Sequence, residues 1–167
     1  KVTTPQDCIL SAKLPAPVSV RHVRGQLVPD AVLGAVHKML PGKIPAEGSG
    51  ALLNLHVSAR PLTGENAPKD GGHRAEVLLL NSGGTGARPQ LDGLSATAFP
   101  SGVHSMSIEA TEHVGPVIFW RKELRDGSGG AGQYRGGLGQ VVEIAPTQGH
   151  EIYFNAMFDR IKHPPRG

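Results

Sequence analysis

Three stretches of this chain set glycine beside polar or charged residues in ways that can hold a ligand. The first, Asn81 to Pro89, closes a strongly apolar run and contains Gly83, Gly84, Gly86 and Arg88. Glycines there let the backbone come close to a ligand or to another segment, and successive N–H groups in such a turn can cradle an anion. A tight turn packed on a neighbouring strand has the same composition. The second stretch, Asp92 to Gly102, is dense in small and hydroxylic residues, with Ser101 exposed by its turn context. It suits the lining of a pocket for a small polar ligand, and equally an ordered loop whose hydroxyls bond its own backbone. A serine nucleophile needs a positioned base and an oxyanion hole, and the spacing places neither.

The third stretch runs from Arg121 to Gly139. Gly127, Gly129 and Gly132 satisfy the dinucleotide spacing G-x-G-x-x-G. That motif needs a buried strand before it and a helix after it. Here a charged segment precedes it, and Gln133, Tyr134, Arg135, Gly136 and Gly137 follow, a poor start for a helix, so a Rossmann site is rejected. No Gly-Lys pair is followed by Ser or Thr, which removes the Walker A loop. The 8 histidines are scattered without the H-x-x-x-H or H-E-x-x-H spacing of a metal site, and the single cysteine, Cys8, excludes both an internal disulfide and a Cys-based zinc site.

These segments sit in a lean aliphatic chain. Its 23 glycines and 14 prolines, among 167 residues, exceed average usage and point to many turns rather than disorder. The charges are interspersed and the formal net charge is +3, with no basic stripe and few aromatics, so nucleic acid is not expected as a partner. No apolar run approaches the roughly 18 residues of a membrane span and no signal peptide opens the chain, so a cytoplasmic protein is expected. Lys1 rather than Met at the start, and the end at Arg166-Gly167, suggest part of a longer polypeptide.

The elements that must position these loops are mostly strands. Residues 1–26 look extended: Leu14-Pro15-Ala16-Pro17 forbids helix, and Val18, Val20 and Val23 continue with strand chemistry. A helix is expected at about 29–40, with Pro29 in the first turn, an apolar face of Val32, Ala35, Val36, Met39 and Leu40, and Pro41-Gly42 ending it. Gly34 inside it would be explained by close packing against a strand. Strands are expected at 51–58, 75–81, 103–110, 116–121, 139–145 and 150–156, separated by turn-rich stretches at 60–73, 82–102 and 126–138. The span 103–110 shows period-two alternation of His104, Met106 and Ile108 with Ser105, Ser107 and Glu109. The expected class is α+β: a single domain over 1–167, β-rich with a mixed sheet, one clear helix and long glycine-rich loops.

In order, Ser19 to Gly25 followed by Pro29 to Ala35, Leu40-Pro41 with Pro45 to Gly48, Gly83 to Arg88, Asp92 to Gly102, and Arg121 to Gly139 resemble the hydantoinase B/5-oxoprolinase family over nearly the whole chain. The resemblance implies the C-terminal part of an N-methylhydantoinase B-type subunit, a fragment of a longer polypeptide. It implies an ATP-dependent hydrolase of cyclic amides (EC 3.5.2 type) in a hetero-oligomer with a hydantoinase A-type partner. ATP with Mg2+ would sit on that partner, and a divalent metal in the missing N-terminal part of the subunit. No metal ligand or cofactor-binding residue carries over to this chain, and the fragment alone is expected to be inactive. A subunit of an acetone or aryl-ketone carboxylase is the alternative within the family. A structural and interface domain without catalytic residues is the alternative of another class. His104 to Ser107 departs from the polar-proline stretch usual before Glu109, which leaves the role of Glu109 open.

The chemistry implied is anionic. A phosphorylated amide oxygen, a carboxylate product and phosphate all suit guanidinium groups. Arg21, Arg88, Arg121 and Arg135 are therefore candidates, together with His22, Gly83, Gly84, Gly86 and Ser101, for contact with substrate. Each arginine also suits a structural ion pair. No catalytic residue is assigned.

Overall fold

The structure, a computed structural model, describes residues 3–16, 18–19, 21–50 and 52–166. Val20, Pro17 and Ala51, to which the expected strand chemistry, helix break and first strand extended, lie outside the described residues. The elements in chain order are α1 (His22–His37), β1 (Leu52–Pro61), β2 (Ala75–Ser82), α2 (Ile108–Val114), β3 (Val117–Leu124), β4 (Gln140–Pro146) and β5 (His150–Met157), with a short 3-10 turn at Gly64–Asn66.

The α+β class with a majority of sheet is present. β1 lies at the centre of a three-stranded sheet in the order β2-β1-β5, and β3 pairs with β4 in a second sheet. Every pairing among the described strands is antiparallel, where a mixed sheet was expected. The register sets Val57 opposite Val77 and Leu55 opposite Leu79, so these side chains share one face of the sheet. They bury there against Val117 of the second sheet, with Phe119, Ile144 and Ile152 around them. Full burial of each Val or Leu contributes about 1.5–3 kcal/mol, so this apolar layer joins the two sheets.

Two expectations are corrected. Residues 103–110 do not form a strand. Ser107 is extended at φ −64°, ψ 158° and caps α2, its Oγ accepting from the Ala110 N–H at 3.2 Å. Thr111, which is buried, donates from Oγ1 to the Ser107 carbonyl at 2.8 Å, and Ser105 donates to the Leu80 carbonyl at 2.9 Å. The alternating serines are thus hydrogen-bonding groups that start a helix, not the polar side of a strand.

The helix expected at 29–40 begins seven residues earlier, at His22, so residues 22–26 are not extended and Pro29 lies inside it. Its buried residues are Gln26 and Asp30, while Val32, Met39 and Leu40 are exposed. Polar partners in the fold draw in the face opposite to the one that apolar periodicity selects. Gly34 faces Arg166 rather than a strand: a Cβ there would stand 3.5 Å from the guanidinium, an ordinary contact.

Candidate functional site

The glycine stretches converge. Backbone bonds sew four separate segments together: Ser49 N–H to the Gly84 carbonyl at 2.9 Å, Thr85 N–H to Leu94 O at 2.9 Å, Gly137 N–H to Thr85 O at 2.9 Å, and Gly93 N–H to Arg135 O at 2.7 Å. The approach is closer than side chains permit. A Cβ on Gly84 would overlap the Gly137 carbonyl, and one on Gly86 would overlap the Ala46 carbonyl. Gly83 is buried against Ser49. The hydroxyls of the second stretch serve the same network, with Leu138 N–H donating to Ser95 Oγ at 3.0 Å and Thr97 Oγ1 donating to the Ser95 carbonyl at 2.9 Å. Asp92 Oδ1 accepts the Arg135 N–H at 2.7 Å. Of the two readings of each stretch, packing of backbone on backbone accounts for these contacts.

Two concavities flank this knot. One, of about 580 Å3, is lined by Gly83, Gly84, Gly86, Ser49, Ser128 and Tyr134. The other, of about 760 Å3, lies between the C-terminal half of α1 and the 86–90 turn, and Arg88, Lys38, His37, Tyr134 and Arg166 line it. Its wall includes two carboxylates, Asp30 and Glu47, bound by arginines from the end of the chain. Arg160 donates to Asp30 Oδ2 at 3.3 Å and to Glu47 Oε1 at 2.6 Å. Glu47 Oε2 accepts from the Arg166 backbone N–H at 3.0 Å and from its Nε at 3.1 Å.

These contacts set the charges. Burial alone would raise Glu47, but the hydrogen bonds from Arg166 and Arg160 outweigh it and hold the carboxyl at about 2, below its ordinary 4.5. Asp30 goes the other way: burial raises it above 3.8, Arg160 pulls it down only in part, and the Glu47 charge adds to the rise. Among the described residues, no group of three or more His, Cys, Asp or Glu side chains gathers where it could hold a metal ion. No described helix is long and apolar enough to cross a membrane.

The model of the hydantoinase B/oxoprolinase family matches residues 1–167. The chain belongs to this family. Three relatives place it further. It is 29% identical over 168 residues to an uncharacterized protein of Methanocaldococcus jannaschii, covering 99% of this chain and 27% of that one. It is 30% identical over 151 residues to the caprolactamase subunit beta of Pseudomonas jessenii, covering 86% of this chain and 25% of the relative. It is 30% identical over 144 residues to the acetophenone carboxylase delta subunit of Aromatoleum aromaticum, covering 81% and 21%. The chain thus spans about a quarter of the length of these three relatives, and two of them are named as subunits.

In this hydantoinase B/oxoprolinase chain the nine candidate residues divide by location. Gly83, Gly84 and Gly86 line the smaller concavity and Arg88 the larger. Arg88 donates from Nε to the Asp92 carbonyl at 2.8 Å. Ser101 Oγ accepts from Gln26 at 2.6 Å, which ties its loop to α1. Arg21 stands at the N-cap of α1, and the next residue, His22, meets the buried Asn54 side chain at 2.7 Å. Arg121 pairs with Glu123 and, at 3.6 Å, with Glu143, and the Glu123 hydrogen bond raises the guanidinium and lowers that carboxyl. Arg135 is exposed beside Tyr134. Sequence reading singled out none of Asp30, Glu47, Arg160 and Arg166 as a site residue. Their shared signal is a partly buried ion network in which arginines near the end of the chain meet carboxylates more than a hundred positions away, which no local pattern carries.

Proposed function

We propose that this chain is part of the B-type subunit of an ATP-dependent cyclic-amide hydrolase, which works with an ATP-binding A-type partner. The observation that carries the reading is the family match over the whole chain, together with the caprolactamase subunit beta among its relatives. The chemistry explains why such an enzyme is divided. An unstrained amide hydrolyses slowly, and phosphorylation of its oxygen turns the carbonyl into an activated centre with a good leaving group. The partner would supply that step from ATP with Mg2+. A divalent metal in the remainder of the subunit would supply an activated water. Within this chain, Arg88 and the glycine-lined concavity are the places where substrate or an anionic intermediate would rest. Arg21, His22, Ser101, Arg121 and Arg135 stand as further candidates. The assembly is a cytoplasmic hetero-oligomer, and this chain by itself is inactive.

The acetophenone carboxylase subunit among the relatives favours a second reading, in which the activated substrate is a ketone enol and bicarbonate supplies the new carboxylate. The two are separated by ATP-dependent turnover of the full-length protein with its partner. Hydantoin, 5-oxoproline, a simple lactam, and acetone or acetophenone with bicarbonate would each be offered. Ring-opened product from the cyclic amides supports the hydrolase. Bicarbonate-dependent consumption of ketone replaces it with the carboxylase, and turnover of neither class removes both.

A further inference from the structure

The larger cavity has a charge and a shape that the family match does not explain. The geometry points to a binding site for a small organic carboxylate: Lys38 and Arg88 take the anionic end, and Leu33, Ile44 and Phe99 take an apolar body. All five residues line the cavity.

The charge argument begins with the acids. Asp30 and Glu47 also face this space, and alone they would repel an anion. Both are already engaged by Arg160, whose side chain is only 14% exposed, and Glu47 has a second arginine on its other oxygen. Their charge is answered inside the wall. The remaining cations are less committed. Arg88 engages through Nε, to a neutral carbonyl. Lys38 is exposed and caps the C-terminal end of α1. That helix end presents roughly half a negative charge, a smaller quantity than the cations gathered beside it. A guanidinium edge matches a carboxylate, and enclosure in a concave site strengthens the attraction.

The shape argument decides between an inorganic and an organic anion. A volume of about 760 Å3 is in the range of small-molecule sites and far exceeds what phosphate needs. Leu33, Ile44 and Phe99 supply contact for carbon. The inference concerns binding and stands whichever reaction the complex performs. Its place in the reaction, as a rest for the acid released on ring opening, depends on the hydrolase reading above.

Calorimetric titration of the intact subunit with its partner, without ATP and at low salt, tests it with hexanoate, hexanamide and inorganic phosphate. Hexanoate is expected to bind at least about tenfold tighter than hexanamide, which has the same body without the charge, and tighter than phosphate. Arg88→Gln and Lys38→Gln should each weaken hexanoate about tenfold. Arg60→Gln, on β1 over Tyr153, should not. Lys38 is exposed, so its variant answers the question even if Arg88→Gln disturbs the 88–92 turn. Equal binding of hexanoate and hexanamide, tighter binding of phosphate, no hexanoate binding, or unchanged affinity in both cavity variants would overturn the proposal. Because the titration requires no turnover, its failure is distinct from failure of the hydrolase assay.

Discussion

Arg160 donates to Asp30 across 3.3 Å although 130 residues separate the two in the chain. The same guanidinium holds Glu47, and Asp30 is 7% exposed, so one cation near the end of the sequence answers two carboxylates that α1 and the 44–49 segment bring inward. This pair fixes which side of α1 faces the domain, and with it the wall of the larger cavity.

Removing Arg160 should therefore cost much more than a surface ion pair would. Arg160→Met leaves Asp30 buried without its cation, beside a Glu47 that keeps only Arg166, and is expected to destabilise by about 3–5 kcal/mol in urea unfolding. Arg160→Lys keeps the charge but cannot span both carboxylates with a fork, and should lose less. A loss below about 1 kcal/mol for the Met variant would show that the network is solvated and dispensable.

The two acids should respond oppositely to pH. Glu47 titrates at about 2 in the fold against an ordinary 4.5, so its stabilisation is complete above pH 4.5 and is lost as pH falls toward 2. Asp30 is raised above 3.8, so its ionised form costs stability, and acidification relieves that cost. Glu47→Gln should flatten the fall in stability between pH 4.5 and about 2. Asp30→Asn should steepen it. Unfolding free energies measured at several pH values in this range check both signs, and parallel profiles for the two variants would contradict the assignment.

Backbone contact at the glycine knot predicts a sharp contrast between neighbouring glycines. Gly84→Ala places a Cβ on the Gly137 carbonyl, which belongs to a backbone that is itself hydrogen-bonded, and should cost about 2 kcal/mol or more. A Cβ on Gly130 would meet nothing within 4 Å, so Gly130→Ala should stay within about 0.5 kcal/mol of the parent. Thermal melts of the two variants are sufficient. Equal effects would mean that the knot yields easily.

Ser107 offers a local test. Ser107→Ala removes the acceptor of the Ala110 N–H and should destabilise by about 1 kcal/mol. Hydrogen exchange at Ala110 should quicken more than exchange in β1. Unchanged protection at Ala110 would show that packing against β2 and β3, rather than the cap, holds α2.

Much of this molecule was legible from composition and short-range pattern. The α+β class and the positions of β1, β2, β3, β4 and β5 follow from apolar runs and turn residues, which are local, and the family followed from the resemblance carried by the Gly83 to Arg88, Asp92 to Gly102 and Arg121 to Gly139 blocks. Gly127 to Gly132, which match the G-x-G-x-x-G spacing, lie between β3 and β4, so a strand rather than a helix follows them. The failures share a cause. Residues 103–110 alternate as a strand does, but serine can satisfy a helix start, and only the surroundings of Thr111 decide between the two. The face of α1 was misread because periodicity weighs apolar area, whereas Gln26 is held by donating to Ser101 and Asp30 by accepting from Arg160. Glycine density was visible from the start, but its use as contact between four distant segments was not. Composition and local spacing determined the class and the five strands, and the ordered motif blocks carried the family. The tertiary structure alone decided which charges are spent and which remain available, because pairing depends on distance in space between residues that the sequence keeps far apart.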